Sequence, residues 1–179
     1  MDEGDSVATS EHAVERVQPP GWLMRLVNPV TRWLLESRLH SRVSGALLLL
    51  HYRGRKSGRS FTVPVGYQWI NGQLSLLTNS AWRHNFAGGR DLEVTYRGRR
   101  RPAHAQLVSD PDTVTAIYED MINDMGVQQA QRRLGIRITV DRAPSRDELR
   151  DAIVRSGLSV VRIDLREPSG LGNFGPDTS

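Results

Sequence analysis

The sequence predicts an α+β fold that is mainly β, an antiparallel sheet curled into a small barrel with flanking helices. Three observations predict it. Five strand-length segments follow one another between residues 46 and 108, an Asn-Gly pair links two of them, and two capped helical patterns precede a last short strand that could close the sheet.

Met1 to Gln18 is polar and aperiodic, and with the Pro19-Pro20-Gly21 punctuation it reads as a disordered tail over 1–20. An amphipathic helix is expected over 21–44, with Leu23, Leu26, Val27, Val30 and Leu34 on one face, Arg25 and Arg32 opposite, and a kink at Pro29. Such a helix packs on a domain. With Trp22 and Trp33 it could instead lie on an anionic bilayer surface, giving peripheral membrane contact.

The barrel domain is expected over 45–166. Ala46 to Arg53 is an apolar run of strand length, and Ser60 to Trp69 alternates as a second strand. Asn71-Gly72 signals a type I′ turn, because both central residues need positive φ, and it leads into Gln73 to Asn79. Asp91 to Arg97 alternates Leu92, Val94 and Tyr96, turns at Gly98 and returns through Ala103 to Val108. Asp110-Pro111 starts a helix whose buried stripe is Val114, Ile117, Tyr118, Met121, Ile122 and Met125. Ser145-Arg146-Asp147-Glu148 has the capping-box pattern of a second helix that stops near Gly157. Leu158 to Leu165 is the closing strand, and the glycine- and proline-rich 167–179 reads as a flexible tail.

Composition removes several function classes. The 179 residues include no cysteine, so disulfides, thiolate metal sites and cysteine nucleophiles are excluded, in keeping with a cytoplasmic location. The N-terminus lacks the apolar core of a signal peptide, and the longest apolar run, Ala46 to Leu50, is far short of the roughly 20 residues that span a bilayer. Five scattered histidines without an HExxH motif argue against a metal site, and no GxSxG, Walker or GxGxxG element occurs. Twenty-three of the 24 basic residues are arginine, and Lys56 is the exception. Residues 51–101 carry a net +8 against −4 elsewhere, which points to an anionic partner.

The glycine-bounded loop Gly54-Arg55-Lys56-Ser57-Gly58 suits such a partner. Arg55 offers a planar fork of donors, Lys56 a point charge and Ser57 a hydroxyl, and the glycines let backbone amides turn inward onto a phosphate. A solvated hairpin tip is the plain alternative. A second basic segment, Arg97-Gly98-Arg99-Arg100-Arg101-Pro102, looks like the core of an AT-hook and makes nucleic acid a rival, less favoured partner.

Leu49-Leu50-His51-Tyr52-Arg53 followed by the GRKSG loop, then Thr62-Val63-Pro64-Val65-Gly66-Tyr67, Asn71-Gly72, and Trp82-Arg83-His84-Asn85-Phe86, resembles the deazaflavin-dependent nitroreductase-like family. The resemblance covers residues 45–110, and 21–165 more loosely. It implies a six-stranded antiparallel split β-barrel with flanking helices, of the FMN-binding split-barrel type. It also implies coenzyme F420 as the cofactor, with FMN as the alternative, and hydride transfer from the reduced deazaflavin to a quinone, nitroaromatic or activated alkene. Carried over residue by residue, Arg55, Lys56, Ser57, Thr62, Val63, Pro64 and Val65 would hold the coenzyme's phosphate and tail. Thr78, Asn79, Ser80, Trp82, Arg83 and Asn85 would lie beside its ring and phosphate, and Ser80 or His84 could deliver a proton. Split barrels of this kind often form homodimers. The sequence departs from the family in one place: only Asn79-Ser80-Ala81 separate Thr78 from Trp82, where reductases of the family have a longer loop with a Ser-x-Gly-Gly element and a proline. A non-catalytic barrel binding flavin, heme or lipid is therefore the alternative function.

Overall fold

The computed structural model describes residues 14–16, 47–134, 136–138 and 142–166. The helix expected over 21–44 and the tail expected over 167–179 lie outside them. In chain order the elements are β1 (Val14–Arg16), β2 (Leu47–Arg53), β3 (Ser60–Gly66), β4 (Gln68–Ile70), β5 (Gln73–Thr78), a 3-10 turn (Ala81–Phe86), β6 (Arg90–Tyr96) and β7 (Arg99–Val108). Helix α1 (Pro111–Met125), α2 (Val127–Leu134), β8 (Ile136–Ile138), α3 (Arg146–Ser156) and β9 (Ser159–Leu165) follow. The chain divides into two compact units, Met1–Pro20 with Ser109–Ser159, and Gly21–Val108 with Val160–Ser179.

The second unit is a curled sheet of seven strands in the order β3-β2-β6-β7-β9-β5-β4. Six strands were expected. The seventh arises because the segment 60–69 is not one strand: it breaks at Tyr67 into β3, which pairs with β2, and β4, which pairs with β5. These two pieces lie at opposite ends of the strand order yet are joined by a single residue, so the sheet must curl to bring its edges together. Pro64 sits in β3, the end strand, where a missing amide donor is tolerated.

Alternation then fills the inside of the curl. Leu48, Leu50 and Tyr52 of β2, Leu74 and Leu76 of β5, Leu92, Val94 and Tyr96 of β6, and Ala103 and Ala105 of β7 belong to one buried cluster with Phe86, Val161 and Ile163. Both tight hairpins have the positive backbone angles of a type I′ turn: Asn71 and Gly72 at φ 50° and 75°, and Arg97 and Gly98 at φ 49° and 72°. The second hairpin corrects the strand limits. The return strand begins at Arg99 rather than Ala103, with Arg99, Arg100, Arg101 and Pro102 opposite Tyr96, Thr95, Val94 and Glu93. An AT-hook needs a free extended segment to lie in a groove, and here the ladder has taken it.

The first unit contains β1, paired with β8 through Val14–Ile138 and Arg16–Ile136, so part of the segment expected to be disordered is a strand. Helix α1 is capped by Asp110, whose carboxylate accepts from the Thr113 amide at 2.9 Å. Val114, Tyr118, Met121 and Ile122 of its expected stripe are buried, whereas Ile117 and Met125 are half-buried and Thr115 is buried in addition. The Thr115 hydroxyl donates to the Pro111 carbonyl at 2.7 Å, which satisfies it inside the unit. Helix α3 has the full capping box between Ser145 and Glu148 and ends on left-handed Gly157. Ion pairs Glu119–Arg146 and Asp112–Arg150, each at 2.7 Å, connect α1 and α3.

Candidate functional site

The GRKSG loop is a compact turn because its glycines permit it. The Gly54 amide donates to the Arg59 carbonyl at 2.8 Å and the Gly58 amide to the Gly54 carbonyl at 2.9 Å, with Gly58 at φ 64°. A Cβ on Gly54 would lie 2.7 Å from Ser57 Oγ and 2.9 Å from Phe61 Cε2, so the loop has closed onto that position.

The loop is fastened to the 3-10 turn thirty residues on. The Arg55 amide donates to Asn85 Oδ1 at 2.9 Å, and Arg55 Nη1 donates to the Ala87 carbonyl at 2.8 Å. Asn85 in turn donates from Nδ2 to the Trp82 carbonyl at 2.8 Å, which fixes its amide orientation. One side chain therefore ties the basic loop, the turn and Trp82 together.

Between loop and turn opens a cleft of about 800 Å³. Arg55, Lys56 and Ser57 form its basic rim, and Tyr52, Phe61 and Trp82 give it apolar walls. His84 and Asn85 line it from the turn. Tyr52 stacks on Phe61 with ring centroids 5.5 Å apart and meets Phe86 edge-on at 5.3 Å, and Trp82 meets Phe86 edge-on at 6.0 Å. Burial pushes the Tyr52 hydroxyl above its ordinary pKa, so it stays a neutral donor at physiological pH. Arg55 already serves as a clasp. Lys56 is exposed and has no hydrogen-bond or ion-pair partner among the described residues, which leaves its charge available to a ligand.

The remaining candidates from the sequence are placed differently. Thr62 lines a neighbouring cavity and its hydroxyl bonds His51 Nδ1 at 3.1 Å. Val63, Pro64 and Val65 lie in β3 opposite Leu50, Leu49 and Leu48 and do not line the cleft. Neither do Thr78, Asn79, Ser80 and Arg83. These four instead lock the short connection: the Ser80 amide donates to Thr78 Oγ1 at 3.0 Å, and Arg83 Nη1 donates to the carbonyls of Asn79 and Ser80. Of the two proton-donor candidates, only His84 reaches the cleft. Tyr52, Phe61 and Ala81 were not anticipated. The signal for Tyr52 was its phase in β2, which puts it on the same face as Leu48 and Leu50.

A deazaflavin coenzyme with a phosphodiester and an acidic tail needs cations beside an aromatic surface, and this cleft offers both. The unpartnered Lys56 at the rim and the Tyr52, Phe61 and Trp82 walls fit such a group.

Two solved structures resemble the chain distantly. An FAD and heme binding protein from Mycobacterium smegmatis aligns at 16% identity and a TM-score of 0.36, covering 80% of this chain and 75% of that one. A putative 5-nitroimidazole antibiotic resistance protein from Bacteroides thetaiotaomicron aligns at 10% identity and a TM-score of 0.34, covering 73% of this chain and 79% of that one. No curated protein matches the chain significantly. The family model of F420H(2)-dependent quinone reductase matches residues 24–142, and that span holds the basic loop, the clasping asparagine and the tryptophan wall. With two thirds of its length covered by that match, the chain belongs to the F420H(2)-dependent quinone reductase family.

Proposed function

We propose that the protein is an F420H2-dependent reductase of quinone-type acceptors, with the coenzyme held in the cleft between the GRKSG loop and the 3-10 turn of a split-barrel fold. One observation carries the reading: the Arg55–Asn85 and Arg55–Ala87 hydrogen bonds bring the GRKSG loop and the Trp82–Asn85 turn to the same cleft and leave Lys56 free at its rim.

Lys56 and Ser57 would bind the phosphate, as a point charge and a hydroxyl on a turn that is already formed. Tyr52, Phe61 and Trp82 would exclude water from the ring and orient it. When bound, the reduced deazaflavin supplies the hydride. His84, exposed at the cleft and without a side-chain partner among the described residues, would hold a proton on its imidazole for the acceptor oxygen. Ser80, the other candidate, does not line the cleft and has no such role in this reading.

Anaerobic oxidation of the reduced coenzyme by a soluble quinone tests the reading. Wild-type protein should turn over, and His84→Gln should lower kcat while leaving coenzyme binding intact. Tight binding without turnover of any quinone, nitroaromatic or activated alkene would establish a coenzyme-binding protein instead.

A further inference from the structure

Next to the cleft, β2 and β6 separate. Their pairing runs from Leu49–Thr95 to His51–Glu93 and stops. Beyond it β2 continues beside β3 to the Arg53–Ser60 pair, and β6 continues beside β7 to Arg90–Ala105. The gap between the parted ends is a cavity of about 670 Å³.

Its charges are unevenly satisfied. Glu93 Oε2 accepts from Arg100 Nε at 3.1 Å and Nη2 at 2.6 Å. Asp91 is engaged by His104 Nδ1 at 2.6 Å and by Arg166 at 3.2 Å, contacts that hold its carboxyl below the usual carboxylate range. Arg53 and Arg90 remain. Neither guanidinium has a hydrogen-bond or ion-pair partner among the described residues, and Arg90 is half-buried with its Nη1 shielded from solvent. A guanidinium withdrawn from water without an acceptor is unfavourable, and its planar fork matches a carboxylate. The rest of the wall is mixed: His51, Ser60 and Thr62 are polar, whereas buried Leu92 and the stacked Tyr52–Phe61 pair, which also borders the coenzyme cleft, give it an apolar side.

We propose that this cavity is a second binding site, for an organic acid whose carboxylate meets Arg53 and Arg90 while its apolar body lies against Leu92, Tyr52 and Phe61. The site does not depend on the deazaflavin reading. It uses neither Lys56 nor Ser57, and its occupancy can be measured without coenzyme.

The test is an NMR titration of the full chain at constant ionic strength with three probes: benzoate, benzyl alcohol (the same body without the charge) and inorganic phosphate (the charge without the body). Saturable benzoate shifts centred on Arg53 and Leu92 are expected, with benzyl alcohol and phosphate each at least about tenfold weaker. Arg53→Gln and Arg90→Gln should each weaken benzoate by a similar factor, whereas Lys56→Ala should leave it unchanged. Arg53 is exposed, so its variant remains informative if Arg90→Gln does not fold. Equal binding of benzyl alcohol would overturn the carboxylate assignment, and equal binding of phosphate would overturn the organic-acid class. Absence of shifts, or shifts confined to Arg55–Ser57 and lost in Lys56→Ala, would overturn the second site.

Discussion

Replacing Asn85 with alanine removes both halves of the clasp that forms the cleft: the acceptor for the Arg55 amide and the donor to the Trp82 carbonyl. Each such bond contributes about 0.5–1.5 kcal/mol net. The Arg55 bond is exposed and water can replace part of it, so the sum falls near the lower end, about 1–2 kcal/mol. For a chain of this size that lowers Tm by about 2–8 °C. Arg55 keeps its bond to the Ala87 carbonyl, so the loop is loosened rather than released. Coenzyme binding would then have to reorder the loop, and the same free energy weakens affinity about 5- to 30-fold. Thermal unfolding and a coenzyme titration of Asn85→Ala read both effects. An unchanged Tm together with an unchanged affinity would refute the clasp.

Three further outcomes follow from the geometry. Gly54→Ala places a methyl group within 3 Å of Ser57 Oγ and the Phe61 ring, and should destabilise the protein by about 1–3 kcal/mol, read by urea denaturation. Gly98→Ala forces a side chain onto φ 72° in the second hairpin and should destabilise by about 1 kcal/mol, whereas Gly98→Asn should be tolerated better. Glu148, bonded to Arg142 and to the Ser145 amide, has its carboxyl lowered from 4.5 to about 2. A depressed carboxylate pKa stabilises the folded state above the unfolded value, so its contribution is lost as pH falls from about 4.5 toward 2. Acid titration by circular dichroism should therefore show a shallower loss of stability over that window in Glu148→Gln than in wild type.

Local chemistry in the sequence announces the Asn71-Gly72 turn, the Asp110 cap and the Ser145–Glu148 capping box, because each is decided within four residues. Features decided by distant partners are not legible in that way. Ser60 to Trp69 alternates without interruption, and only the competing pairings with β2 and β5 break it at Tyr67. Helix α2 is hidden because Gly126 at φ 77° looks like an end and its sequence is largely polar, with Ala130 and Leu134 as its buried residues. The same holds for the site. Loop and turn were each visible as motifs, but the Asn85 bond that joins them spans thirty positions. Resemblance alone could not separate residues that reach the cleft, such as Lys56 and His84, from those that brace its edge, such as Arg83 and Ser80.

The central claim is that the GRKSG loop and the Trp82 turn form one anion-binding cleft for a deazaflavin. The most direct measurement is tryptophan fluorescence during titration of the purified chain with coenzyme F420, in wild type and Lys56→Ala. The account predicts saturable quenching by wild type and an affinity about fivefold to tenfold weaker in the variant, as expected for loss of one charge-assisted contact. No saturable binding, or equal affinities for the two proteins, would contradict it.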